Sequence, residues 1–434
     1  MTKPVPALNV RWHDGRLVGR VITTGPTHFV YDDEWLAAGE NLSPLSVPFT
    51  NTAFRQRVDG FDQLPGFLSD CLPDQWGRRL MDRAFSALDV PATPMRMLAW
   101  VGPRGIGALK FEPTLEADHS SSSWQPVSSL LLAREAQAVL REEPARAFKH
   151  LQHAGTAGGA LPKATVALLP DGTLLVGGDV AAAATEHPNA RLGLLKLDCE
   201  DNTTGCDSDG RLEHAYMTMA RASGIRTATT ETMTDSSGSR PLHHLFVERF
   251  DCVRGGSRRF HLVTLAGALH THQLDYRNLL LTTRQITQDH TEVCEATRRM
   301  IFNVRAANAD DHGKNHSFLY DEAARRWTLS PAYDLTLNAE EGRTYRGLSP
   351  NTFGSSPRLT VLAAVAADAG VRHNEFAALD AEVTVALQHW PEFAEKAGLP
   401  AKVVQHVSSI HAGLAVALAS EAPARRSKRR KLWE

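Results

Sequence analysis

The chain has little cysteine and no pattern in what it has. Cys71, Cys199, Cys206, Cys252 and Cys294 are odd in number, widely scattered and never in a C-x-x-C pair. That excludes the disulfide framework of small secreted domains and the ligand spacing of a zinc ribbon, and a reduced compartment is expected. No run of 18 apolar residues exists to span a bilayer, and Met1-Thr2-Lys3-Pro4-Val5-Pro6 lacks the apolar stretch of a signal peptide. A cytoplasmic protein with no membrane partner is the expectation. Charge of one sign is also missing: 47 Lys and Arg stand against 49 Asp and Glu, a formal net charge of −2. The chain therefore carries no broad field for nucleic acid or membrane. One exception is the basic run Arg425-Arg426-Ser427-Lys428-Arg429-Arg430-Lys431, read as a solvated tail, with contact to nucleic acid or an acidic partner as the alternative. No repeat at a fixed period is present.

What the chain does have is length and punctuation. Its 434 residues exceed the roughly 250 at which a single core stops growing, so two or three core-bearing units are expected. The opening alternates through Leu8, Val10 and Trp12, turns at Asp14-Gly15 and resumes through Leu17, Val18 and Val21, a hairpin signal. A helix is expected from Asp74 to Phe85, behind Pro73. The glycines of Gly102 to Gly107 read as a structural turn, because Pro103 and the missing strand–turn–helix context argue against a nucleotide loop. Residues 114–127, with Ser120 to Ser123, read as a linker, followed by a helix from Ser128 to His150.

From His153 the texture changes to glycine and strand signals. Strands are expected at Ala164 to Leu169, Leu174 to Val176, Gly193 to Leu197 and Leu245 to Phe250, with a helix from Leu212 to Ala222. Beyond residue 255 helical spacing dominates, as in Phe376, Leu379, Val383, Leu387 and Trp390 behind an Asn374 cap.

The densest polar cluster is Asn308-Ala309-Asp310-Asp311-His312-Gly313-Lys314-Asn315-His316. Phosphoryl transfer from ATP needs a carboxylate near the acceptor hydroxyl, oxygen ligands for Mg²⁺, and cations against the phosphates. Asp310 and Asn315 have the five-residue spacing of a kinase catalytic loop, the Asp on the hydroxyl and the Asn on the metal. Asp334, 24 residues on, stands where the principal Mg²⁺ ligand is wanted. Two other readings stay open: a solvated loop with an Asx turn, and zinc or iron held by His312 and His316 with Asp310 or Asp311. Lys196 is a lone charge in an apolar strand, so its ammonium must reach water, a carboxylate or a ligand, an edge-strand surface lysine being the other reading. Glu213 on the following helix is its natural partner, although an acid at a helix start also complements the dipole. The loop Thr156 to Lys163, with Gly158-Gly159, could present backbone N–H groups to phosphate, although such loops are more often plain turns.

Taken together the segments resemble the HipA family, the kinase toxins of bacterial toxin–antitoxin pairs. The resemblance covers most of the chain. It rests on Leu72-Pro73-Asp74-Gln75-Trp76-Gly77-Arg78, Gly159-Ala160-Leu161-Pro162-Lys163, Val247-Glu248-Arg249-Phe250-Asp251, the cluster from Asn308 to Asn315, and Leu329-Ser330-Pro331-Ala332-Tyr333-Asp334. It implies an α+β, two-lobed, protein-kinase-like fold with a sheet-rich N-terminal lobe and a mostly helical C-terminal lobe. The expected units are an N-terminal subdomain 1–113, the linker, an ATP-binding core 128–254, a helical lobe 255–420 with the catalytic loop, and the tail 421–434.

By the same resemblance Asp310 is the catalytic base, Asn315 and Asp334 hold Mg²⁺, and Lys196 touches phosphate. Gly158, Gly159, Ala160, Leu161, Pro162 and Lys163 line the ATP phosphates, flanked by His312 and Lys314. Glu248, Arg249 and Phe250 form the adenine hinge, and Tyr333 completes the ATP site. Thr156 stands where the family carries an autophosphorylated serine; its β-branch puts self-inactivation in more doubt than kinase activity. The implied partners are a HipB-like helix-turn-helix antitoxin, operator DNA mainly through it, and a protein substrate of which an aminoacyl-tRNA synthetase is one candidate. The expected function is Mg·ATP-dependent serine/threonine phosphorylation by a toxin. The alternatives are a catalytically quiet co-repressor subunit and a small-molecule or lipid kinase on a related fold.

Overall fold

The computed structural model describes residues 5–23, 25–55, 60–115, 124–154, 159–177, 180–201, 209–253, 258–338, 348 and 358–419. Gly158, Thr156, most of the serine-rich linker and the basic tail lie outside them. Strands β1 (Ala7–Trp12), β2 (Leu17–Thr23), β3 (Thr27–Tyr31) and β4 (Leu109–Glu112) form an antiparallel sheet of order β3-β2-β1-β4. The Asp14-Gly15 turn joins β1 to β2, and Gly15 takes the positive φ of 100° that such a turn asks of glycine. The helix after Pro73 spans Gln75–Ala87, buries Trp76, Leu80 and Met81, and has Asp74 as its N-cap residue.

The second sheet holds β5 (Gln125–Val127), β6 (Lys163–Leu168), β7 (Leu174–Val176), β8 (Arg191–Lys196), β9 (Thr230–Asp235) and β10 (Leu242–Glu248), in the order β5-β7-β6-β8-β10-β9. It begins earlier than the sequence suggests, because Gln125–Val127 pairs with β7 rather than belonging to a linker. Nor does one helix run from Ser128 to His150. It covers Ser129–Leu140 and stops where Glu142 takes φ of +62° ahead of Pro144; a non-glycine residue there ends the helix, and proline cannot continue it. Helix Gly210–Ala222 packs against β10.

The C-terminal lobe is mostly helical, as expected, yet it contains a third sheet, β11 (His261–Thr264), β12 (Ser317–Asp321) and β13 (Arg326–Leu329). Helix His373–Gln388 buries Phe376, Leu379 and Val383, but its N-cap is Arg372, whose backbone N–H donates to the Glu375 carboxylate at 2.8 Å. Asn374 therefore lies inside the helix, and Trp390 opens the next one, Trp390–Lys396. Cys71, Cys252 and Cys294 are free, whereas Cys199 is disulfide-bonded, one bridge where a fully reduced chain was expected.

Two buried clusters decide how the site is held. One runs from Leu8 and Trp12 through Tyr216, Phe302 and Trp390 to Leu418, so the N-terminal sheet and the helical lobe share a core. The other lies behind the six-stranded sheet and includes Trp76, Leu132, Val166, Leu195 and Phe246. Polar groups gather between the six-stranded sheet and the helical lobe, around Lys196, Glu213 and Asp334.

Candidate active site

Lys196 ends β8, level with Lys163 of β6 and Leu245 of β10. Strand alternation sends Leu195 into the core behind the sheet and Lys196 to the opposite face. There it is only 8% exposed, and an ammonium so placed needs partners. Glu213 supplies both carboxylate oxygens at 2.8 and 2.7 Å from the first turn of helix Gly210–Ala222, and the Asp334 carboxylate closes on the same nitrogen.

Asp334 is positioned by a crossing of chain segments. Ala332 forms a parallel bridge with Thr227, donating to the Arg226 carbonyl at 2.7 Å and accepting from Ala228 at 2.9 Å. Two residues on, Asp334 takes φ of +60°, a conformation aspartate tolerates better than most residues but one that surrounding structure must hold. Lys196 keeps its carboxyl far below the usual range. Burial opposes the charge on Lys196, but Asp334 and Glu213 outweigh it and raise its pKa. Glu213 is shifted up, because burial outweighs Lys196. Lys163, 5% exposed, is pushed down by burial and by the neighbouring Lys196.

The polar cluster folds as a loop after helix His290–Arg305. Ala307 reverses the chain with φ of +56°, and Asn308 returns two hydrogen bonds to Asn303, from its backbone at 2.9 Å and its amide at 3.1 Å. Asn303 in turn donates to Asp311 at 3.2 Å. The two adjacent acids are thereby separated: Asp311 is buried with its pKa raised well up by burial, while Asp310 is exposed. The Asp310 carbonyl accepts from His312 N–H at 2.9 Å and from the Asn315 amide at 3.0 Å, which closes the five-residue interval. Asn315 thus spends an amide N–H inside the loop. His312 is close enough to Asp334 to help depress its pKa.

Tyr333 ties the loop to Phe250: its hydroxyl donates to the Lys314 carbonyl and meets Ser317 Oγ, both at 2.6 Å, and its ring stacks on Phe250 at 5.6 Å. The Glu248 N–H is already given to Thr229 at 2.8 Å. Arg249 turns away from the cleft, its guanidinium buried on Asp251 and the Gly105 carbonyl. That makes it a brace for the Gly102 to Gly107 turn, whose Gly107 N–H donates to Asp251 at 2.7 Å. Of the glycine-loop positions, Gly159 to Lys163 are described; Ala160 and Leu161 are exposed, and the Pro162 carbonyl accepts from Leu197 at 2.9 Å.

Residues 311–316 are not helical, so His312 and His316 do not share a face, and His316 is buried. Among the described residues no group of three His, Cys, Asp or Glu side chains could hold a metal ion, which removes the zinc or iron reading. Oxygen from Asp334 and the Asn315 amide fits Mg²⁺, an ion bound through one or two protein groups together with substrate phosphates. Asp74 escaped the sequence reading as a site residue. Its carboxylate takes the Gly159 N–H at 3.1 Å and pairs with Lys314, contacts made only by docking of distant segments.

Residues 155–417 match the HipA-like C-terminal domain, and residues 8–112 match the HipA N-terminal domain. Y4mE, a provisionally named kinase of Sinorhizobium fredii, is 28% identical over 398 residues, 84% of each chain. HipA of Shewanella oneidensis, solved with HipB and its operator DNA, superposes with a TM-score of 0.65 at 18% identity over 94% of this chain and 96% of its own. The last likeness shows the fold: two lobes, sheet-rich in front and helical behind. With both domain models in order and together covering most of its length, this chain belongs to the HipA family.

Proposed function

We propose that the chain is a Mg·ATP-dependent serine/threonine protein kinase acting as the toxin of a toxin–antitoxin pair. The observation that carries this is the buried Lys196 held between Glu213 of one helix and Asp334 of the opposite lobe, the strand-lysine and helix-glutamate pair that phosphoryl transfer uses. Asp334 and the Asn315 amide oxygen would hold Mg²⁺, which when bound offsets charge on the terminal phosphates. Lys196, Lys163, Lys314 and the Gly159 N–H face the same region and supply the remaining positive charge. Asp310 accepts the substrate hydroxyl proton as the new oxygen–phosphorus bond forms and the bond to the leaving diphosphate breaks. Tyr333 and Phe250 wall the adenine end.

The partners proposed are a HipB-like antitoxin, with operator DNA bound mainly through it, and a cytosolic protein substrate, of which an aminoacyl-tRNA synthetase is one candidate. The neighbour solved with HipB and operator DNA supports the first two. Thr156 is the proposed autophosphorylation position.

Incubating the protein with γ-labelled ATP and a cell lysate tests the proposal. A labelled protein band that disappears with Asp310→Ala, and whose label is on serine or threonine, is the expected result. Label found only in lipid or metabolite, or no turnover at all, would overturn it.

A further inference from the structure

Asp74 is the N-cap residue of helix Gln75–Ala87, yet its carboxylate makes no cap hydrogen bond to its own helix. A cap aspartate ordinarily takes the N–H two or three residues on. Here Oδ2 accepts from Gly159 N–H at 3.1 Å and Oδ1 pairs with the Lys314 ammonium. The same helix start also holds the loop through its carbonyls: Trp76 N–H donates to the Gly159 carbonyl at 3.1 Å, and the Trp76 indole to the Lys163 carbonyl at 2.8 Å. Gly159 adopts φ of +101°, a conformation that residues with a side chain rarely take. One carboxylate of the N-terminal subdomain thus occupies two of the donors to which the proposed function assigns phosphate.

We infer that Asp74 is an internal competitor of the nucleotide phosphates. It holds the Gly159 N–H and Lys314 in place when no phosphate is present, and competes with phosphate for both. The N-terminal subdomain thereby sets nucleotide affinity through a charge that binding must displace. A group that only braced the fold would have the opposite effect when removed, because freeing the loop would weaken binding.

The inference rests on the phosphotransfer reading, and titration calorimetry with Mg·ATP separates the two. Asp74→Asn removes the charge, and Asp74→Ser removes it while restoring a competent helix cap, so one variant keeps its fold if the other does not. Thermal melting checks each. Asp62→Asn, which breaks the pair from the Phe61–Gln63 turn to Arg78 of the same helix, controls for helix docking. Both Asp74 variants should bind Mg·ATP roughly threefold or more tightly, the range of a half-exposed ion pair, with kcat no higher and KM for ATP lowered. Unchanged or weaker binding in a folded Asp74 variant would overturn the inference and leave the kinase reading standing. Failure of the unaltered protein to bind Mg·ATP would overturn both.

Discussion

At the scale of single residues, the lysine between two acids organises the cleft. Lys196 was legible because an apolar strand with one ammonium must aim it at a partner, and the Glu213 pair is present. Glu213→Gln leaves Lys196 tied to Asp334 alone. ATP turnover should fall about tenfold or more while the melting temperature stays within a few degrees, measured by steady-state kinetics and calorimetry. His316 makes a different point. It is 2% exposed, and neither ring nitrogen has a hydrogen-bond partner. Burial, with Arg299 and His312 nearby, lowers its pKa to about 3. The unfolded chain binds a proton at this residue below about pH 6.5 and the folded chain does not until about pH 3. Each unit of acidification between them therefore costs about 1.4 kcal/mol of stability. His316→Phe should stabilise the protein by about 1 kcal/mol at pH 7 and flatten the fall in melting temperature between pH 6 and pH 4. Nothing in the motif announced this burial, since sequence places His316 among exposed-looking polar neighbours.

At the scale of elements, long periodic helices were legible and short strands were not. The spacing of Phe376, Leu379 and Val383 marks a buried face whatever the cap turns out to be. Strands β11 and β13, of 4 residues each, carry too few apolar positions to show alternation. They nevertheless decide where Asp334 sits, because β13 leads into the segment that crosses Thr227. That crossing is fixed from helix His290–Arg305: Arg299, buried, donates to Glu295 at 3.0 and 2.8 Å and to the Ser330 carbonyl at 2.6 Å. Glu292 pairs with Arg226 and accepts from Leu329 N–H at 3.1 Å. Arg299→Met leaves the Glu295 carboxylate with only the Arg226 N–H at 3.1 Å and the Arg298 guanidinium at 3.6 Å, and frees the Ser330 carbonyl, so it should cost roughly 2 kcal/mol in denaturant unfolding. It should also lower activity, because the segment carrying Asp334 loses its anchor.

At the scale of the whole molecule, the two-lobed plan followed from motif order, whereas the union of the N-terminal subdomain with the helical lobe did not. Their shared core is built by residues hundreds of positions apart, and Trp12 Nε1 donates to Glu322 at 2.9 Å across the same seam. Removing residues 1–113 should leave Leu265, Tyr320 and their neighbours uncovered and yield insoluble chain, read by expression and sedimentation; a soluble, monodisperse remainder would contradict a common core. The cleft depends on that union as well, since Asp74 reaches it from the N-terminal side. The central claim is that Asp334, Asn315 and Lys196 converge on metal-bound nucleotide. Titrating ATP into the protein with and without Mg²⁺, and repeating with Asp334→Asn, tests it most directly. Binding should require Mg²⁺ and be lost in the folded variant. Binding that ignores both the metal and the substitution would contradict it.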